Sequence, residues 1–141
     1  KIINATDLDG VRHAYDCANL SGRKIPVVTL IHALKPMVFS EIEPLSDAIL
    51  VGYGVSDAAY FEILAGRFEP QGLLPMQQPK NMEAVEKQLG DIPRDMECYT
   101  DSVGHVYDFG YGLNWSGVIN DSRTAKYKVP VISGDSKSKK K

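Results

Sequence analysis

The residues whose types could do chemistry fall in three places along the chain. Asp47-Ala-Ile-Leu-Val-Gly-Tyr-Gly-Val-Ser-Asp57 sets a phenol, Tyr53, and a carboxylate, Asp57, around a glycine turn that follows a short apolar run. Glu41 and Glu43 form the most tempting carboxylate pair. Tyr107-Asp-Phe-Gly-Tyr-Gly-Leu-Asn-Trp115 gathers four aromatic rings among two glycines. Acid/base work needs two carboxyl groups converging on one bond, and Glu41 and Glu43 do not qualify. Residues two apart face different ways on a helix, so a solvated helix start is the simpler account of them. The aromatic segment admits two readings: a stacking surface for sugars, or rings that lock a glycine-rich loop onto the domain.

These groups need elements to position them. Ala48 to Val51, the Gly52-Tyr53-Gly54 turn and the Ser56-Asp57 pair read as strand, turn and helix start, one βα unit of a parallel sheet. The helix is expected over about 57–65, with Ala58, Phe61, Ile63 and Leu64 supplying its apolar contacts and Gly66 closing it. A loop at the carboxyl end of such a strand is where open α/β sheets place ligands. Upstream, Thr6-Asp-Leu-Asp9 resembles a capping box. Leu8, Val11, Ala14, Tyr15 and Ala18 then share one helical face, and Ser21-Gly22 supplies a stop. His13 lies off that face and reads as a surface residue. Pro26 to Ile31 is a β-branched run suited to a buried parallel strand.

Lys35-Pro36 breaks that run, and Ser40 to Glu43 could begin a short helix that Pro44 limits. Glu69 to Pro75 reads as a turn feeding a short edge strand, and Asn81 as the cap of a helix over 82–89. Glu97 to Thr100 and His105 to Phe109, flanking Asp101-Ser-Val-Gly104, read as a β-hairpin. The expected inventory is therefore three helices, three parallel-type strands and an appended hairpin. That sheet is thin, and its unfilled edge points to further strands upstream of Lys1.

Composition narrows the classes. The chain has 141 residues, 43% of them hydrophobic, and a net charge of -2, which suits one globular domain. Residues 125–141 carry six lysines and one aspartate, a net +5 that leaves -7 on the remainder. A mildly acidic body argues against nucleic acid as the main partner. No run approaches the roughly 20 apolar residues that span a bilayer, so no membrane role is expected. The domain is placed at 1–123, with 124–141 a basic, flexible tail. Cys17 and Cys98 make neither a disulfide framework nor a zinc spacing; a single bridge is compatible with them but not required. Asn4, Asn19, Asn114 and Asn120 each begin an Asn-x-Ser/Thr triplet, which matters only in a eukaryotic secretory route. The opening Lys1-Ile-Ile-Asn4 reads as a processed chain or an excised piece.

Four segments then carry a resemblance when taken in order. They are Ile25-Pro-Val-Val-Thr-Leu30 with Lys35-Pro-Met-Val38, Glu43-Pro-Leu-Ser-Asp-Ala-Ile-Leu-Val-Gly-Tyr-Gly54, Glu69-Pro-Gln-Gly-Leu-Leu-Pro-Met-Gln-Gln-Pro79, and Tyr107 to Trp115. Each is weak alone. Together, over residues 5–120, the sequence resembles the carboxy-terminal half of the α/β sandwich domain of family-3 glycoside hydrolases, the β-glucosidase-like enzymes. Gly54-Val-Ser-Asp-Ala-Ala59 stands where the commoner pattern is G-x-x-G-G, as in a subgroup variant.

The resemblance implies a partial α/β sandwich, with a mostly parallel sheet flanked by helices and a C-terminal β-hairpin. It implies a retaining glycosidase whose Asp nucleophile sits on an upstream TIM barrel, with a glycoside or oligosaccharide substrate, no cofactor and no metal. A periplasmic or secreted setting fits the family. Retention needs two carboxyl groups about 5–5.5 Å apart across the glycosidic bond. No residue here matches either catalytic motif, so none is assigned to catalysis. Tyr53, Asp57 and Trp115 are the substrate-binding candidates. The runner-up is a non-catalytic carbohydrate- or partner-binding module. A flavodoxin-like nucleotide domain ranks below both, because no G-x-G-x-x-G or P-loop spacing follows the strand.

Overall fold

The computed structural model describes residues 5–20, 22 and 25–127, the side chains of residues 5–7 excepted. Its first element is helix α1, Ala5–Leu20. Thr6 therefore lies inside the helix rather than at its cap. Gly22 holds a φ of 64° and donates its N–H to the Asn19 carbonyl at 3.4 Å, the left-handed stop expected of glycine after a helix.

Strands β1, Val28–His32, and β2, Ala48–Gly52, pair in parallel, with Val28 opposite Ala48 and His32 opposite Gly52. Between them, Glu43–Leu45 forms a 3-10 turn with Pro44 in its first two positions. Proline starts this turn rather than limiting it, since its missing N–H would have had no partner there. Helix α2, Asp57–Leu64, begins after Ser56. Helix α3, Met82–Lys87, is capped by Asn81, whose side chain accepts from the Ala84 N–H at 2.9 Å. It stops before Leu89, whose N–H is taken by the Asp95 carboxylate at 2.7 Å.

Two parallel strands are present among the described residues where three were expected. The segment 69–75 joins no ladder. Instead Leu74 exchanges backbone bonds with the aromatic segment, through Leu74 N to Tyr111 O at 2.7 Å and Gly110 N to Leu74 O at 2.8 Å. The approach is close enough that a Cβ on Gly112 would collide with the Gly72 carbonyl. The hairpin expected around 101–104 narrows to a Thr100–Val106 bridge beside a Tyr107 N to Tyr99 O bond of 2.9 Å. A second hairpin follows, strands β3, Leu113–Asn114, and β4, Gly117–Val118. Helix α4, Ser122–Tyr127, runs across the expected domain edge near Arg123. Residues 128–141, most of the basic tail, lie outside the described residues.

The core is built on the inner face of β1. Ile31, Ala33 and Phe39 are buried, and Met37, Ile49, Val51, Tyr53, Tyr99 and Tyr107 pack against them. The opposite face of β1 turns Val28 and Leu30 outward, each 38% exposed, although parallel strands are normally covered on both faces. Helix α2 is anchored differently from its sequence pattern. Phe61 and Leu64 are exposed, and Tyr60 is the buried residue. Its hydroxyl donates to the Ile31 carbonyl at 2.6 Å, and its ring meets His32 edge-on at 5.1 Å. Gly52 makes room for it, because a Cβ there would strike the Tyr60 hydroxyl and Val55.

Gly52→Ala is therefore expected to cost about 1–3 kcal/mol of stability by overpacking. Tyr60→Phe should cost about 1 kcal/mol through the lost hydrogen bond. Urea denaturation midpoints check both, and a Gly52→Ala midpoint equal to that of the parent would refute the packing account.

Candidate functional site

Tyr53 and Asp57 both stand at the carboxyl end of β2, as its glycine turn requires, but they differ in freedom. Tyr53 leans inward. Its ring joins the core and its hydroxyl accepts from the Gln78 side-chain amide at 3.1 Å. Burial pushes its phenol above the usual value, with the Gln78 bond pulling weakly the other way. Asp57 opens the first turn of α2, is exposed, and lies 3.0 Å from His32 Nε2 at the end of β1. An anion there also complements the helix dipole. Asp57 and His32 thus meet as an exposed pair at the strand ends, while Tyr53 is taken up by the core.

Trp115 occupies the two-residue turn between β3 and β4. Its side of the turn is held by the Asn114 carboxamide, which accepts from the Ser116 N–H at 2.9 Å, and its own N–H reaches the Glu69 carboxylate at 3.3 Å. Trp115 is 59% exposed. Among the described residues, no hydrogen bond or ring contact joins it to Tyr53 or Asp57. The three candidates thus divide into one pair at the strand ends and one ring at a hairpin tip.

The remaining aromatics of the 107–115 segment are structural. Tyr107 stacks on Tyr111 at 5.2 Å and meets Tyr99 edge-on at 5.2 Å and Phe39 at 5.5 Å. Phe109 packs against Tyr127 of α4 at 5.0 Å and lies 5.8 Å below the Arg94 guanidinium. Arg94 pairs with Asp108, donates to the Tyr127 carbonyl at 2.9 Å, and holds a φ of 60°. The locking role therefore accounts for three of the four rings, leaving Trp115 to face solvent.

Several organising residues were invisible to periodicity. Gln78 is 1% exposed. Its side-chain carbonyl accepts from Met37 N at 2.8 Å, its N–H donates to Tyr107 O at 2.9 Å, and its carbonyl accepts from Tyr99 N at 2.9 Å. Glu43 is not an acid/base partner of Glu41; it accepts from the Tyr99 hydroxyl at 2.9 Å. Asp101 accepts from the Val103 and His105 N–H groups at 3.0 and 2.8 Å and pairs with His105 Nδ1 at 2.9 Å. Burial pushes the Asp101 carboxyl up, but these bonds and the His105 charge outweigh it and hold it below the usual range. Cys17 and Cys98 are both free thiols. Burial, reinforced by the Asp108 charge, raises Cys98 to about 11, so it is no nucleophile at neutral pH.

Two open depressions flank this framework. One, of about 410 Å³, is lined by Ser40, Lys80, Asn81, Glu97, Cys98, Tyr99 and Thr100. The other, of about 250 Å³, lies between Pro36, Met76, Met96 and Phe109. Neither includes Tyr53, Asp57 or Trp115. Among the described residues no group of three or more His, Cys, Asp or Glu side chains is placed to hold a metal ion, and no helix is long and apolar enough to cross a membrane.

The sequence model of the glycosyl hydrolase family 3 C-terminal domain matches residues 13–115. The chain belongs to this family. It is 32% identical over 91 residues to beta-glucosidase C of Emericella nidulans, a match covering 64% of this chain and 14% of that protein. Probable beta-glucosidase C of Aspergillus oryzae is 33% identical over 92 residues, covering 65% of this chain and 14% of the relative. The periplasmic beta-glucosidase/beta-xylosidase of Dickeya chrysanthemi is 26% identical over 99 residues, covering 70% and 14%. The matched part of the chain thus spans about a seventh of each relative's length. No solved structure matches it significantly. Within the family domain, the helices, the parallel β1–β2 pair and a C-terminal antiparallel hairpin give the α/β class that the sequence implied, with the hairpin strands at 113–118 rather than at 97–109.

The tyrosine cluster sets an alkaline limit. Burial, together with the Glu43 bond, raises Tyr99 to about 12, and burial with the Asp101 and Glu43 charges raises Tyr111 to about 12. Their unfolded value is near 10. The neutral phenols therefore contribute stability that is complete below about pH 10 and lost as pH rises toward about 12. Tyrosinate absorbance and circular dichroism should change together in that window. Titration of all seven tyrosines near pH 10 with the fold retained would contradict it.

Proposed function

We propose that this chain is the sandwich-domain part of a retaining β-glucosidase-like hydrolase acting on terminal β-linked glucosyl or related residues. The observation that carries the reading is the family match over residues 13–115, supported by the β-glucosidase names of its relatives. The chain supplies scaffold and cleft-lining loops. The Asp nucleophile belongs to an upstream TIM-barrel domain of the same enzyme, and this chain contributes neither catalytic carboxylate.

In this reading Asp57 accepts hydrogen bonds from sugar hydroxyls at the strand ends. Tyr53, fixed from behind by Gln78, shapes the same strand end as a preformed wall. Trp115 offers an exposed ring to the apolar face of a more distant sugar unit. A stacking contact of this kind is worth roughly 0.5–1.5 kcal/mol, about three- to tenfold in affinity.

The isolated 141-residue chain is expected to leave aryl β-glucosides intact. The longer polypeptide that contains it should hydrolyse them with retention of configuration. In that enzyme Trp115→Ala should raise KM by roughly three- to tenfold with kcat little changed. Turnover by the isolated chain that survives repurification would sink the scaffold reading.

A second reading rests on the exposure of Trp115 alone, a carbohydrate- or partner-binding module without catalysis. Saturable sugar binding by the 141-residue chain that weakens in Trp115→Ala, with no hydrolysis by the longer polypeptide, would favour it.

A further inference from the structure

Four of the five asparagines in the chain, Asn4, Asn19, Asn114 and Asn120, begin an Asn-x-Ser/Thr triplet. Serine and threonine together number 14 of 141 residues, so chance would give five asparagines about half a triplet. The excess is roughly eightfold. The triplet is the acceptor signal for N-linked glycans, provided that its middle residue is not proline. Here the middle residues are Ala5, Leu20, Trp115 and Asp121.

A glycan is bulky and hydrophilic, so its asparagine must stand at the surface of the folded domain. Asn4 lies outside the described residues, and the other three meet this condition. Asn19 is exposed in the last turn of α1, and Asn120 is exposed on the link from β4 to α4. A glycosylated carboxamide keeps one N–H. The bonds that Asn19 donates to the Tyr15 carbonyl at 2.8 Å and Asn120 to the Val118 carbonyl at 3.3 Å can therefore persist. Asn114 is half-buried at the end of β3, but only its oxygen is engaged, by the Ser116 N–H at 2.9 Å. Asn81 supplies the contrast. It begins no triplet, and its side chain is committed to capping α3.

The same places leave apolar side chains in solvent. Leu20, 84% exposed, follows Asn19, and the exposed Leu113, Trp115 and Val118 surround Asn114 and Asn120. Sugar chains rooted there would screen this apolar surface from association.

We propose that Asn19, Asn114 and Asn120 carry N-linked glycans, which places the protein on a eukaryotic secretory route. The donor is an oligosaccharide carried on a polyprenyl diphosphate. The asparagine amide nitrogen bonds to the anomeric carbon of the first N-acetylglucosamine. The bond from that carbon to the diphosphate oxygen breaks, polyprenyl diphosphate leaves with the electron pair, and one amide proton is released. Nothing is oxidised or reduced.

The test uses the longer polypeptide that contains this chain, purified from its own cells. Peptide N-glycosidase in 18O-water converts each glycosylated asparagine to labelled aspartate, which peptide mass spectrometry locates. Label is expected at Asn19, Asn114 and Asn120 and not at Asn81, with a gain in gel mobility on glycan removal. In a eukaryotic secretory host, Ser21→Ala, Ser116→Ala and Ser122→Ala should each lose one mobility step. Absence of label at all three asparagines overturns the proposal. So does equal label at Asn81, which marks spontaneous deamidation, or a mobility unchanged by all three serine substitutions. None of these readouts measures glycoside hydrolysis, so this proposal and the hydrolase reading fail independently.

Discussion

The arrangement depends on one buried amide. Gln78, almost fully enclosed, uses side chain and backbone together to tie three stretches that share no secondary structure. These are the loop at Met37, the glycine turn at Tyr53, and the bridged segments through Tyr99 and Tyr107. A primary amide suits this position because it donates and accepts at once. A carboxylate would lose the donor to Tyr53 and bury a charge, and an apolar side chain would strand the Met37 N–H in the interior, where an unpaired donor costs about 1–3 kcal/mol. With two parallel strands among the described residues, the domain sets its loops by polar connections more than by sheet area.

That constraint decides which groups are available to a ligand. The amide draws Tyr53 inward, and the stacked tyrosines hold Tyr107 and Tyr111 against Phe39 and His105. A segment rich in aromatic residues is thereby mostly spent on its own anchorage. What is left exposed is sparse and separated: Asp57 beside His32, and Trp115 on a braced turn. Neither feature encloses a ligand alone.

Much of the framework was legible in the sequence where a local rule has a single physical cause. The Asn81 cap, the Gly22 stop and the strand–glycine–helix unit at 48–64 follow from backbone groups that need partners or from a backbone angle that only glycine adopts cheaply. The rest depended on contacts remote in sequence. Tyr60 was passed over for Phe61 and Leu64 because hydrophobic counting undervalues a phenol whose hydroxyl finds a carbonyl. Gln78 carries no local signal, because its partners lie 25 and 41 residues away. The β3–β4 hairpin has strands of two residues, too short for any alternation to register. Of the site candidates, the sequence could place Tyr53 and Asp57 at a strand end. It could not say that Tyr53 turns inward.

Arg94 shows what such a framework asks of single positions. Its backbone sits in the left-handed region that glycine occupies freely and that costs other residues roughly 1–2 kcal/mol. Its far end holds Asp108, the Phe109 ring and the Tyr127 carbonyl. Backbone and side chain therefore select for opposite residues at one site. Glycine would relax the turn and release α4, whereas lysine would keep the charge but lose the planar fork that serves two acceptors at once. Substitution there should be narrow in both directions, a tolerance profile that neither exposure nor local propensity would forecast.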